Sequence, residues 1–246
     1  MKVIISPAKK MKIVYDENKK ITEPVFYKKA AVLAKKIRKL DPMEIEHIMK
    51  VNPKIAMEAF IYYNDFFDFK HEIPAILSYN GLQYTHIKAE DFSDEEAEFA
   101  NETLRIVSGL YGILKPYDGI CPYRLEMQCK LDINGKTLYK YWSNNIYKEL
   151  FKDKEEVINL ASGEYSKVVS PYLKDKDRFI TVDFKCNHKG KIRTLPTEAK
   201  TLRGEMSRYI VKNKIKSSKE LKDFTYEGYK YSSERSGKDK YIFLKI

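Results

Sequence analysis

The chain opens on a short apolar run, Val3, Ile4 and Ile5, closed by Ser6-Pro7. That reads as a first strand followed by a loop. Over residues 25–40, Ala30, Leu33, Ala34 and Ile37 recur at helical spacing with lysines between them, which predicts an amphipathic helix. Asp41-Pro42 then offers an N-cap and a first-turn proline for a second helix. Asn52-Pro53 repeats the device for a third, running to about residue 67. Residues 74–79 form an apolar run ended by Asn80-Gly81 and predict a buried strand. The clearest helical pattern covers 93–107. Ser93 and Glu96 have capping-box spacing, acids fill the first turn, Ala97, Ala100, Leu104 and Val107 share a face, and Gly109 stands where a terminal glycine belongs.

Further on, 125–133 and 136–142 alternate around Asn134-Gly135, which predicts a hairpin. A helix over 145–151 and a strand over 157–160 follow. The strand runs into the segment ASGEY, where Ser162 can cap a helix reaching residue 169. Residues 179–185 and 191–195 read as a strand pair. A long helix starts near Thr197, with Ala199, Leu202, Met206, Tyr209 and Ile210 as its apolar stripe, and 226–246 alternates again. Strands and helices mix without a strict βαβ rhythm and no repeat is present. The expectation is a mixed α/β (α+β) fold in a single domain, 1–246.

Composition narrows the function classes. Hydrophobic residues make up 43% of 246, enough for a core. No apolar run approaches the ~18–20 residues of a spanning helix, and the N-terminal run is too short for a signal peptide. The expectation is a cytoplasmic protein with no membrane partner. Three cysteines, Cys121, Cys129 and Cys186, form no CxxC pair and have no histidine at ligand spacing, so no disulfide framework, metal site or cofactor is predicted. The net charge is +11 and unevenly spread: residues 185–222 carry twelve Lys or Arg against three acids, whereas 90–98 carries six acids and no base. A basic face of that kind suits an anionic partner such as nucleic acid, although solubility accounts for lysine-rich composition equally well.

No Walker loop, GxGxxG, HExxH or GxSxG motif occurs, and the four histidines are scattered. Candidate chemistry lies in four places. The first is the stretch SGLYGILKPYD after the acidic helix. Glycines there let backbone amides approach a ligand, and the spacing outlines a helix-hairpin-helix, in which amides at Ser108, Gly109, Tyr111 and Gly112, with Lys115 beside them, would hold DNA phosphates. A glycine-terminated helix followed by a turn explains the same pattern more simply. The second is Arg124 and Glu126, two residues apart, able to bind an anion and orient a donor or to form a mere surface ion pair. The third is the strand end before ASGEY, where Asn159 and Ser162 suit a phosphate or carboxylate, or simple helix capping. The fourth is the basic helix, with Lys200 and Arg203 one turn apart, Arg208 further round, and Gly204 beside Lys200 for the close approach of a ligand or of another helix.

At these residues the chain resembles the bacterial YaaA peroxide-stress family. The matching pieces are ISPAK (5–9), LRIVSGLYGILKPYD (104–118), PYRLEM (122–127), INLAS (158–162) and AKTLRGEMSRYI (199–210), in the family's order and spanning most of the chain. Departures are Lys10 where the family has threonine, and Thr-Glu-Ala-Lys in place of Tyr-Ala-Lys, with Lys200 retained. The resemblance implies a cytoplasmic protein of the hydrogen peroxide stress response, linked to lower free iron. It also implies a family-specific fold with a helix-hairpin-helix element and a basic cleft that binds double-stranded DNA. Two functions follow as expectations. In one, the 109–112 amides with Lys115, Arg124, Lys200, Arg203 and Arg208 contact DNA phosphates. In the other, Lys9, Arg124, Glu126, Asn159, Ser162, Lys200, Arg203 and Arg208 line one pocket for a small anionic or nucleotide-like substrate, with Glu126 as the acid–base candidate.

Overall fold

A computed structural model describes residues 1–14, 20–70 and 73–246. Its centre is an eight-stranded sheet. Five strands are parallel: Lys2–Ile5, Leu104–Ser108, Val157–Asn159, Phe179–His188 and Lys240–Lys245. Numbered along the chain, they lie in the order 2-1-3-4-5 across the sheet. Gly112–Leu114, Lys191–Arg193 and Lys230–Tyr231 join antiparallel to the second, fourth and fifth of them. The central strands read as short continuous apolar runs because the parallel sheet is covered on both faces. Val3, Ile4, Ile5, Leu104, Ile106, Val157 and Ile158 are fully buried.

Helices form on apolar stripes, two of them behind side-chain caps: Tyr27–Ile37, Pro42–Met49 with its Asp41–Glu44 capping box, Pro53–Asp65 capped by Asn52, and Pro196–Lys212 with proline in its first turn. The mixed α/β class stands. Four sequence expectations do not, one of them the helix capped by Ser162 and reaching residue 169, which is Gly163–Ser166 without a side-chain cap. The 93–107 helix is Asp94–Thr103, and Leu104–Ser108 leaves it as a fully buried strand. Each large apolar side chain buried there gains ~1.5–3 kcal/mol, more than helix propensity can oppose. Residues 74–79 hold a helical turn, Ala75–Ser78, between two-residue strands, because a short buried apolar run does not by itself distinguish strand from helix. Around Asn134-Gly135 the tight turn forms, with both residues at positive φ and Ile133 and Lys136 exchanging backbone hydrogen bonds. The flanks do not pair; Leu138–Trp142 is helical instead. Among the described residues no helix is long and apolar enough to cross a membrane.

Candidate functional site

The sheet order reverses between the first and third parallel strands. The chain passes from strand one to strand two on one side, then crosses to strand three on the other. In open α/β sheets ligands bind outside the carboxyl ends of the strands at such a point. Here the two strand ends are stitched together: Leu160 N donates to Ile4 O at 2.9 Å, and Ser162 N donates to Ser6 Oγ at 2.8 Å. Asn159 is buried below. It donates to Thr181 Oγ1 and accepts from Ala161 N, so it shapes the loop and does not line the opening.

Above these ends opens a cavity of about 340 Å³. Its floor is the Ser6–Lys10 loop, held by Gln83 Nε2 and Tyr84 Oη, which both donate to Ser6 O. One wall is 80–84. The others are Ser162, Glu164 and Tyr165 and, from the long helix, Lys200 and Arg203. Gly204 is what lets that helix come so close: a Cβ there would stand 2.3 Å from Gln83 O. The glycine therefore serves helix packing.

A small recess adjoins the cavity, sharing Pro7, Ala8, Lys9 and Tyr165 and adding Arg124 and Glu126. The Glu126 carboxylate is buried with Arg124 Nη2 at 2.9 Å and Lys9 Nζ at 3.4 Å, ion-pair distances without hydrogen-bond alignment at Oε1. Glu164 accepts from Gln128 N at 3.3 Å. Burial pushes the Glu164 carboxyl above its usual range and nearby Glu126 adds to this, while Lys9 and backbone hydrogen bonds oppose it. Burial lowers the Arg203 guanidinium from its usual value, and its buried Nε has no hydrogen-bond partner among the described residues. Two carboxylates, one inclined to keep a proton, thus sit among four cations.

Of the expected site residues, Lys9, Ser162, Lys200 and Arg203 meet in the cavity, and Arg124 and Glu126 in the recess beside it. The remainder lie elsewhere. Ser108, Gly109, Tyr111 and Gly112 belong to a buried β-hairpin, not a helix-hairpin-helix, and cannot present amides to DNA. Ser108 Oγ accepts from Leu110 N and Tyr111 N and bonds Tyr123 Oη at 2.6 Å. A Cβ on Gly109 would stand 2.3 Å from Leu125 O, so this glycine lets the 123–127 segment pass. Lys115 follows Leu114 on the return strand, which carries it away from the Ser6 edge. Arg208 donates from Nη1 to Ile87 O and Lys88 O, closing the end of the helix Leu82–Ile87.

The charge asymmetry is partly internal. Lys212 pairs with Glu96 at 2.7 Å, Lys214 with Glu95 at 2.6 Å, and Arg208 with Asp91 at 3.4 Å. The acidic segment thus neutralises the far half of the basic helix. All three cysteines are buried, and burial pushes the thiols of Cys121 and Cys129 up to about 12. Among the described residues no group of three or more His, Cys, Asp or Glu side chains could hold a metal ion.

Sequence reasoning missed Glu164, Gln83 and Tyr84. Glu164 lay inside ASGEY, where a first-turn acid reads as helix capping. The other two carry no local signal.

A family model described as "Peroxide stress protein YaaA" matches residues 1–235. A UPF0246 protein of Clostridioides difficile (strain 630) is 44% identical over 249 residues, covering 100% of both chains. One of Ligilactobacillus salivarius is 43% identical over 246 residues, again covering 100% of both, and one of Pediococcus pentosaceus is 38% identical over 247 residues, covering 100% of this chain and 98% of the relative.

Proposed function

The chain belongs to the YaaA peroxide stress protein family, and on that premise we propose that it is a peroxide-stress protein that binds the phosphate backbone of double-stranded DNA with little sequence preference. The carrying observation is the helix pair Pro42–Met49 and Pro53–Asp65. Only Lys50, Val51 and Asn52 join the helices, and Lys50 has a φ of 51°. Pro53 carries no N–H and Ile55 N donates to Asn52 Oδ1, so the turn offers a phosphate the Lys54 N–H and the lysine side chains beside it. It is the element that best fits the helix-hairpin-helix implied by the resemblance. Lys50 and Lys54 flank it, both exposed, and exposed Lys130 is tied to it by a 3.2 Å hydrogen bond from its N to Ile48 O. Binding is therefore electrostatic and weakens with salt as counterions return. A duplex titration at several salt concentrations tests this: a slope of about −3 in log affinity against log salt is expected from roughly three phosphate contacts. Affinity indifferent to salt overturns it.

The cavity favours a second reading, an enzyme for a small anionic or nucleotide-like substrate. Its support is buried Glu126 beside Arg124, with Glu164 as a proton-holding carboxyl nearby. Calorimetric binding of a nucleoside monophosphate, lost in Lys200→Ala, supports that reading; no binding at millimolar nucleotide contradicts it.

A further inference from the structure

We propose that the cavity at the strand switch point receives a single nucleotide swung out of a DNA duplex whose backbone is held at the Lys50–Lys54 turn. This rests on the DNA-binding reading above and adds to it a destination for the DNA.

The turn and the cavity are joined by one short stretch of backbone. Tyr63, on the second helix of the pair, donates from Oη to Arg124 O at 3.0 Å. Six residues later, Lys130 N donates to Ile48 O at 3.2 Å, on the last turn of the first helix. Between them Glu126 faces the recess, and Cys129 N donates to Glu126 O at 3.0 Å. That i to i+3 bond folds the stretch, which keeps Glu126 and Lys130 within about 11 Å. A strand held at the turn thus runs within a few nucleotides' reach of the recess.

The cavity has the chemistry of a nucleotide site. At about 340 Å³ it is at the lower end of small-ligand pockets but much larger than one phosphate requires. Tyr84 and Tyr165 give it aromatic surface for a base, and Leu82 and Pro7 apolar contact. Asn80 is exposed at the rim, and Gln83 is fixed by its bond to Ser6 O, so two side-chain amides are positioned for a base edge. Lys200 and Arg203 supply positive charge for a phosphate, and Arg203 Nε awaits an acceptor. The chain lacks the Walker loop that would seize a free triphosphate. Enzymes that work on a base take it out of the stack in this way, reading it by hydrogen bonds and aromatic contact.

The test compares affinity for a duplex containing one mismatched pair with that for the same duplex fully paired. Unpairing costs a few kcal/mol and least at a mismatch, so an extruding protein prefers the mismatched duplex by about tenfold or more. In Lys200→Ala and Asn80→Ala, both exposed positions, the preference should fall to about one while affinity for the paired duplex stays near wild type. Equal affinity of the wild-type protein for both duplexes overturns the inference and leaves the DNA-binding reading intact. A preference that survives both cavity variants also overturns it, because the discrimination then arises elsewhere. Failure to bind either duplex overturns the inference together with the reading it rests on.

Discussion

Ser6 Oγ accepts a hydrogen bond from Ser162 N at 2.8 Å, across a sequence separation of 156 residues. The bond ties the ends of the first and third parallel strands where the sheet reverses its order, so the floor of the cavity is set by the topology of the fold. Replacing Ser6 with alanine removes the acceptor and leaves the Ser162 N–H without this partner. The expected cost is ~1–2 kcal/mol, read as a lower midpoint in urea. A midpoint equal to wild type would show that the stitch contributes nothing.

Gly204 faces Gln83 O, where a Cβ would stand 2.3 Å away. In an open helix, glycine to alanine stabilises by ~1 kcal/mol. Here Gly204→Ala should instead destabilise by about 1–3 kcal/mol, because backbone has to move. A rise in Tm on thermal denaturation would contradict the close packing of the two helices.

Glu164 holds its proton more tightly in the folded chain than its ordinary value, chiefly through burial. Its folded pKa is raised, so the contribution is present below the unfolded value and is lost as pH rises through the folded one. Glu164→Gln should therefore be neutral near pH 4 and stabilising above the titration, by under about 1 kcal/mol because the group is only half buried and water screens it. Urea denaturation at the two ends of that range measures it. A Gln variant less stable at neutral pH than at acid pH, relative to wild type, contradicts this sign.

Lys212–Glu96 and Lys214–Glu95 pair the end of the basic helix and the turn after it with an acidic helix. These lysines are engaged, so Lys212→Ala combined with Lys214→Ala should leave the salt slope of DNA binding within about half a unit of wild type. The pairs are partly exposed, and stability should change by about 1 kcal/mol or less for each. A slope reduced by about two would move the DNA face to this helix.

The hydrophobic pattern located most helices because caps and stripes are local. Asp41-Pro42, Asn52-Pro53 and Ser93 with Glu96 each start a helix where the residues announce one. It failed where distant partners decide. Leu104–Ser108 becomes a strand because Lys2–Ile5 offers it an edge, and the flanks of Asn134-Gly135 stay unpaired although the turn forms. In the site, Lys9, Ser162, Lys200 and Arg203 were legible in short segments that proved to meet. The glycines of 109–112 misled, since a glycine admitting neighbouring backbone looks the same in sequence as one admitting a phosphate.

Amide hydrogen exchange of the protein with and without duplex DNA at low salt tests the central claim most directly. DNA held at the turn should slow exchange over residues 50–56 and around Lys130, with weaker protection at 80–84, and leave the buried 104–114 hairpin unchanged. Protection confined to 200–216, or absent from 50–56 under conditions of saturating binding, would contradict the account.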